Sequence, residues 1–127
     1  MRRNAFWVVG LTTLGLAVAP AAVATTSPFS GTWVSIDTDG SHQTMSFSGS
    51  GTGAVAVRYY DDLATVCDGS PARFAGPGWV DGDTVVSDVL LVCLPGGNVF
   101  GHITVEATYN ASDDTLTDPS GVVWTRK

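Results

Sequence analysis

Aspartates are the residues of this chain best suited to chemistry, and several of them lie in turns. The segment from Asp37 to Ser41 reads Asp-Thr-Asp-Gly-Ser, a spacing found in calcium-binding loops, where carboxylates supply hard oxygen ligands. The segment lacks the bidentate glutamate that such loops place further along. Asp and Gly at this spacing also form ordinary turns. We favour the turn over the calcium loop and predict no metal site.

A second possibility is hydrolysis by a pair of carboxylates. Asp61 and Asp62 are adjacent, so in a strand their side chains point to opposite faces and cannot act together as acid and base. Folding can bring other aspartates together, namely Asp68, Asp81, Asp83 and Asp88. A hydrolase is the weaker alternative among the functions considered, and carboxylates that converge in a cleft would support it.

Nucleophilic catalysis has no recognisable motif in this chain. His102 and Glu106 would share one face of a strand, but a triad also needs an activated serine. Ser50 lies between glycines, without the strand-to-helix context of a nucleophile elbow. We interpret His102 and Glu106 as an outer polar stripe. Asp88, inside an apolar run, is predicted to face outward too. No catalytic residue and no cofactor is predicted.

Two cysteines, Cys67 and Cys93, are predicted to form one disulfide. An even pair in an oxidising compartment is usually joined, and closing this loop contributes about 3–4 kcal/mol in the chain-entropy model. The alternative is a two-cysteine metal site, for which only His42 and His102 could supply histidine ligands.

The N-terminus predicts export. Arg2 and Arg3 precede an apolar stretch from Phe6 to Ala19, and Ala22-Val23-Ala24 forms a small-x-small cleavage site. We predict a cleaved signal peptide over residues 1–24 and a single secreted domain over residues 25–127. The alternative is one N-terminal membrane helix, although the apolar stretch is short for that.

The charge balance narrows the partners. The chain carries 6 basic and 12 acidic residues, and loss of Arg2 and Arg3 leaves 4 basic residues and a net charge of −8. Such an excess argues against nucleic acid, whose phosphates need a basic face, and against anionic lipid surfaces. We expect a monomer that binds neither nucleic acid nor, once the signal is cleaved, a membrane.

The elements that must position these residues are short strands separated by Gly, Asp, Asn and Pro turns. Consecutive strands with hairpin-length connections predict an all-β antiparallel meander, which closes into a barrel of about eight strands. A β-sandwich is the alternative. The predicted strands are Thr32–Asp37, Gln43–Ser48, Ala54–Tyr60, Ala72–Val80, Thr84–Cys93, Val99–Tyr109, Thr115–Thr117 and Gly121–Arg126.

The fourth predicted strand is the least regular. Gly76, Pro77 and Gly78 interrupt it, and a proline there predicts an edge, a bulge or a corner. Phe74 and Trp79 flank this interruption. Most aromatic residues of so small a domain must form its core, so we predict that these two form an exposed or cavity-facing pair that binds ligand.

Both ends of the predicted domain carry a family resemblance. Gly31-Thr32-Trp33 opens the first strand and Trp124-Thr125-Arg126 closes the last. The chain thereby resembles the calycin superfamily, which includes lipocalins and avidins. The resemblance implies a barrel with Gly31 and Trp124 in structural roles, Trp33 at its floor, and Arg126 packed over Trp33 in a cation–π contact.

A second resemblance is to small exported bacterial domains of unknown function. It rests on Tyr60-Asp61-Asp62 before the first cysteine and on the Val-Val-Trp sequence near the C-terminus. It implies a bacterial origin and no particular activity.

Together these patterns predict a secreted, non-enzymatic β-barrel that binds a small apolar ligand. The alternative is a protein-binding or inhibitor module that contacts an extracellular protein through the disulfide-tethered segment Cys67–Pro77 and the turn Pro95–Asn98. An empty apolar interior would favour the ligand binder. A packed interior with an exposed aromatic patch would favour the interaction module.

Overall fold

The computed structural model describes residues 17–21, 26–49 and 53–127. Eight antiparallel strands in sequential order close into one barrel. Their bounds are β1 Gly31–Ile36, β2 His42–Ser48, β3 Ala54–Ala64, β4 Ser70–Asp81, β5 Thr84–Cys93, β6 Asn98–Asn110, β7 Thr115–Thr117 and β8 Val123–Arg126. The predicted meander and its closure are therefore confirmed, and the sandwich alternative is wrong.

Short turns make this sequential pairing possible. Gly40 in the β1–β2 turn and Gly82 in the β4–β5 turn adopt positive φ values of 87° and 62°, a conformation that glycine reaches without steric cost. Each turn returns the chain antiparallel to the strand before it, so neighbouring strands pair without crossover segments.

The pleat assigns each side chain to the interior or the surface. In β5, Val85, Val89 and Leu91 are buried while the alternate residues are exposed. Asp88 belongs to the exposed set, which confirms its predicted outward position. In β6, Ile103 faces inward and is partly buried. This alternation is the period-2 pattern that the sequence carries.

One end of the barrel, here named the closed end, is filled by side chains. Trp33 and Phe29 are fully buried, and the Trp33 indole N–H donates to the Phe29 carbonyl at 2.8 Å. The Arg126 guanidinium carbon lies 4.1 Å from the centre of the Trp33 ring. A side-chain carbon on Gly31 would come within 3.0 Å of Arg126. Gly31 also has a φ of 123°, a conformation that residues with a side chain rarely adopt, so glycine is favoured where this cation covers the indole.

Strand β4 corrects part of one prediction. Gly76, Pro77 and Gly78 all pair with β3 inside a continuous strand, so they form no corner. The pairing of β4 with β5 is interrupted between Arg73 and Gly78, so Pro77 lies on a locally unpaired edge, as a proline in a strand is expected to. A side-chain carbon on Gly78 would lie only 2.5 Å from Ser87 Oγ, and that hydroxyl donates to the Pro77 carbonyl at 3.0 Å. Because Gly78 has no side chain, β4 and β5 can approach closely at this point. The Ser87 hydroxyl supplies a hydrogen bond to the Pro77 carbonyl, which the β4–β5 backbone pairing does not use.

The barrel wall is uneven beside β6. This strand has 13 residues, but β7 has three and pairs only with Thr108–Asn110. Among the described strands, none pairs with the Asn98–Ala107 part of β6 on the side away from β5. That part of β6 is a free edge, and it leaves the wall open next to it.

The disulfide Cys67–Cys93 is present, as predicted, and joins the short 3-10 turn Thr65–Cys67 to the end of β5. The Cys67–Pro77 segment is not the tethered loop that the interaction-module alternative needs, because β4 begins at Ser70. The predicted signal peptide, residues 1–24, lies outside the described residues except for 17–21. Within the described ranges, no helix is both long and apolar enough to cross a membrane.

Candidate functional site

The other end of the barrel, here named the open end, contains a cavity of about 440 Å³. This is within the usual size range of small-molecule sites. Its wall is formed by side chains from β2, β3, β4, β5, β6 and β8. The apolar part of the lining consists of Met45, Tyr59, Ala64, Val66, Ala72, Phe74, Leu91, Ile103, Val105, Pro119 and Trp124.

The free edge of β6 borders this cavity. Ile103 and Val105 line it from β6, and the turn residues Asp118, Pro119 and Ser120 line it from across the gap. Ile103 and Val105 are only partly buried, although they sit on the inward face of their strand. The short β7 explains this exposure, because no described strand covers the gap. The cavity is therefore bordered by a gap in the barrel wall.

Three aromatic rings form the inner part of the cavity wall. Tyr59 and Phe74, directly paired between β3 and β4, stack with centroids 4.7 Å apart and planes 9° apart. Trp124 meets the edge of Tyr59 at 6.2 Å. Trp124 is 2% exposed, and its indole nitrogen has no hydrogen-bond partner among the described residues. A buried donor without an acceptor carries a desolvation cost, so its absence of a partner is unusual.

Above the rings lies a group of polar side chains, here named the acidic mouth: Asp37, Asp39, Gln43 and Asp61. Strand pairing places Gln43 directly opposite Asp61. Asp61 is only 5% exposed. Its carboxylate accepts hydrogen bonds from the Tyr59 hydroxyl at 3.2 Å and from the Leu63 backbone N–H at 3.0 Å. The β3–β4 register shifts between Asp61 and Ala64. Leu63, whose backbone N–H donates to the Asp61 carboxylate, lies within this irregular segment.

The β1–β2 turn supplies the other two carboxylates. Gln43 donates to Asp37 at 2.9 Å and Thr65 donates to Asp39 at 2.9 Å. The Ser41 backbone N–H, also 2.9 Å from Asp39, holds the pKa of the Asp39 carboxyl below its usual value. Asp39 is therefore ionised at neutral pH.

The surroundings of Tyr59 shift the pKa of its hydroxyl. Burial, followed by the negative charge of Asp61, raises the pKa of the Tyr59 hydroxyl far above its usual value. Both effects disfavour the phenolate. Tyr59 therefore keeps its proton and acts as a hydrogen-bond donor to Asp61, rather than as a base.

The charge of the cavity is one-sided. Five of its described lining residues are acidic and none of the described ones is basic; the acidic ones are Asp37, Asp39, Asp61, Glu106 and Asp118. In the described part of the chain, Arg126 forms an ion pair with Asp114, and His42 and His102 lie near Asp62 and Asp88, contacts that are ionic only when the histidine is protonated. None of these pairs, which cover the described residues, includes a carboxylate that lines the cavity.

Carboxylates do converge here, which is the arrangement that would support a hydrolase. Their oxygen atoms are occupied by protein donors: both oxygens of Asp61 and of Asp39 accept hydrogen bonds. A general acid needs a raised pKa near the working pH, whereas the pKa of Asp39 is lowered. Asp39 is therefore a poor candidate for a general acid.

The Asp37–Ser41 segment forms a turn. Asp37 accepts the Thr38 backbone N–H at 2.6 Å and Asp39 accepts that of Ser41, which is how aspartates stabilise turns. Across the described ranges, no group of three or more His, Cys, Asp or Glu side chains is placed to hold a metal ion.

The structure separates the two residues predicted to bind ligand as a pair. Phe74 is buried in the cavity wall, but Trp79 is 55% exposed on the outside of the barrel. They are five positions apart in one continuous strand, so their side chains point to opposite faces. The two side chains therefore do not form a single pair, and ligand binding by either residue stays a prediction.

The residues predicted to be structural occupy two places. Gly31, Trp33 and Arg126 meet at the closed end, in the arrangement that the calycin resemblance implies. Trp124 is equally buried but lines the cavity at the open end. The two tryptophans therefore occupy adjacent layers of the interior, Trp33 on the side of the closed end and Trp124 on the side of the cavity.

Sequence reasoning missed the acidic mouth as a unit. It placed Asp61 and Asp62 on opposite faces, which is correct: Asp61 is buried and Asp62 is exposed. The meeting of Asp61 with Gln43 and Asp37 depends on the β2–β3 register and on a turn 20 or more residues earlier. The hairpin register was the signal that could have placed Gln43 opposite Asp61.

The fold and cavity together define a small antiparallel β-barrel with one plugged end and one hollow, acidic end. Comparison with protein-family models, with curated proteins and with solved structures gives no match to this chain.

Proposed function

We propose that this protein is an exported, non-enzymatic, calycin-like barrel that binds a small and largely apolar molecule in the cavity at its open end. The observation that carries this proposal is the cavity of about 440 Å³, whose inner wall is aromatic and aliphatic. If the interior served only stability, larger side chains that filled this space would raise the free energy of unfolding, because the residues around an empty cavity lose packing contacts.

The calycin assignment is supported by the closed end. Arg126 covers Trp33, and Gly31 leaves room for the guanidinium. The sequential eight-stranded meander is the topology that the resemblance implies. Barrels of this strand number are just wide enough to hold one small ligand.

Export is supported by the disulfide and by the N-terminal sequence. Cys67–Cys93 is consistent with an oxidising compartment. The basic start, apolar stretch and small-x-small site of residues 1–24 have the order of a secretory signal. We propose that the working form begins near Thr25 and carries its ligand outside the cytoplasm as a monomer.

Native mass spectrometry of the protein purified gently from a secreting host tests this proposal, with a denatured sample as reference. We expect extra mass that disappears on denaturation, since a molecule held only by non-covalent contacts leaves when the barrel opens. A bare native mass, together with no binding of added small apolar molecules, would contradict the proposal.

A matched pair of variants on β4 locates the binding site. Ala72 is fully buried and lines the cavity, whereas Ala75 is exposed on the same strand. Ala72→Phe places a ring in the cavity and is expected to weaken ligand binding by about tenfold or more, while Ala75→Phe leaves binding unchanged. Equal binding by both variants would place the ligand elsewhere.

A second candidate function is binding of an extracellular protein. Val66, Val99 and Phe100 are each at least half exposed and line a second depression of about 530 Å³ beside the disulfide. Contiguous exposed apolar side chains often mark protein contacts. If this surface carries the function, Phe100→Asp removes partner binding and Ala72→Phe does not.

A further inference from the structure

The carboxylate of Asp61 combines three properties that call for a positive charge nearby. It is 5% exposed, it lines the cavity, and it belongs to none of the ion pairs between described residues. A charge taken out of water is costly unless an opposite charge or several hydrogen bonds compensate it. Two donors, Tyr59 and Leu63, supply hydrogen bonds, and neither supplies a cation.

The wall below Asp61 is aromatic. Tyr59, Phe74 and Trp124 contribute three rings within the cavity. Aromatic rings attract organic cations through their quadrupole, and such rings beside carboxylates are a recurring way to recognise ammonium groups. A purely apolar ligand would use the rings but would leave the charge of Asp61 without a partner.

At the closed end of the same barrel, the chain itself supplies the cation as well as the aromatic ring and the carboxylate. There the Arg126 cation lies over the Trp33 ring and donates two hydrogen bonds of 2.9 Å to the Asp114 carboxylate. The open end has the ring and carboxylate components and, among the lining residues that the structure describes, no Lys, Arg or His. The missing component of the open end is the cation.

We propose that the cavity selects organic cations: small molecules with an apolar or aromatic body and one ammonium group, a ligand class that rests on the cavity binding proposed above. The body packs against Phe74, Leu91 and Trp124. The ammonium group lies beside Asp61, within the negative field of Asp37 and Asp39. A divalent metal is a poorer fit, because no described group of three ligating side chains is placed for it.

Three probes of similar shape test the ligand class on the wild-type protein by isothermal titration calorimetry. They are benzyltrimethylammonium, its uncharged isostere neopentylbenzene, and the anion phenylmethanesulfonate. We expect the cation to bind at least about tenfold more tightly than the isostere, and the anion to bind least. This comparison needs no variant, so it does not depend on whether a variant folds.

The outcomes separate the two proposals. If the isostere binds as tightly as the cation, the cavity is a binding site but its preference for cations is wrong. If none of the three probes binds, the proposed cavity binding is itself overturned. Tighter binding of the anion would also overturn the cation proposal.

A neighbouring pair of variants assigns the preference to one carboxylate. Asp61→Asn keeps the shape of the buried side chain and removes its charge, and we expect it to reduce benzyltrimethylammonium binding about tenfold without changing neopentylbenzene binding. Asp62→Asn removes the adjacent, outward-facing charge and serves as the control. Unchanged cation binding in Asp61→Asn, or an equal loss in Asp62→Asn, would contradict the assignment.

Discussion

Both ends of this barrel combine a buried tryptophan with nearby carboxylates. At the closed end Arg126 contacts both groups, whereas at the open end a cavity lies beside them. At the closed end, the indole of Trp33 is fully buried, donates to the Phe29 carbonyl and lies under Arg126. At the open end, the indole of Trp124 has no acceptor among the described residues and borders a cavity. Both tryptophans are almost completely buried, so burial does not distinguish the two ends.

This difference indicates which part of the small barrel stabilises the fold and which part is available to bind a ligand. The closed end satisfies its own polar groups: Arg126 contacts Asp114 and the carbonyls of Pro28 and Ser30. At the open end, the carboxylates that line the cavity form no ion pair with a described residue. The Cys67–Cys93 disulfide lies beside this end and holds it covalently. A site can tolerate empty space if the rest of the fold compensates for it.

The largest expected effect is at the closed end. Trp33→Ala removes a fully buried indole together with its hydrogen bond and its cation–π contact, and we expect a loss of about 3–5 kcal/mol in the free energy of unfolding. Urea denaturation of the purified protein measures this directly. A loss below about 1 kcal/mol would contradict the role of Trp33 as the plug of the barrel.

Two other tryptophans sharpen that result. Trp79→Ala removes an indole that is 55% exposed on the outer face, so its cost is expected to be much smaller.

Trp124→Phe removes a buried N–H that has no described acceptor, whereas Trp33→Phe leaves the Phe29 carbonyl without its donor. We therefore expect Trp33→Phe to cost more than Trp124→Phe, because a buried group that loses its partner pays the full desolvation cost.

The next largest effect is expected from the covalent bond beside the open end. The double variant Cys67→Ser, Cys93→Ser opens a loop with a sequence separation of 26, and we expect a loss of about 3 kcal/mol under oxidising conditions. Hydrogen exchange should rise most near Leu63 and Ser70, which flank the 3-10 turn, and less in β1 and β8.

A reducing agent provides the control for the disulfide. Wild-type protein and the double variant should unfold at nearly the same urea concentration once the wild-type disulfide is reduced. Equal stability of the two proteins before reduction would show that the disulfide does not stabilise the open end. A uniform rise in exchange over all strands would show that the two ends are not held separately.

Prediction from sequence succeeded for the fold and fell short for the site, for a physical reason. The strands follow from period-2 alternation and turn residues, which are local; β5 and β7 keep their predicted bounds. The cavity depends on long-range facts: β7 is too short to cover β6, and the β2–β3 register places Gln43 opposite Asp61. The separation of Phe74 from Trp79 was missed because β4 continues through Pro77 by its pairing with β3, which places the two side chains on opposite faces.

The smallest expected effect concerns acid and uses one carboxylate from each end. Hydrogen bonds from Arg126 lower the pKa of Asp114 at the closed end, and the Ser41 backbone N–H lowers that of Asp39 at the open end. A carboxyl with a lowered folded-state pKa stabilises the fold above its unfolded pKa of about 3.9, and this contribution is lost as the pH falls through the lower folded-state pKa. Both groups are exposed, so solvent limits the size of the effect.

Asp114→Asn and Asp39→Asn should each be less stable than wild type at pH 7, and each gap should narrow as the pH falls below about 4. Urea midpoints between neutral and acid pH measure the gaps. Asp114→Asn frees Arg126 and should therefore alter the fluorescence of Trp33 beneath it, whereas Asp39→Asn should leave that signal unchanged and weaken cation binding in the cavity. A gap that widens in acid would contradict the lowered pKa values of the two carboxyls. A common effect of both variants on the fluorescence of Trp33 would show that the two ends are coupled rather than independent.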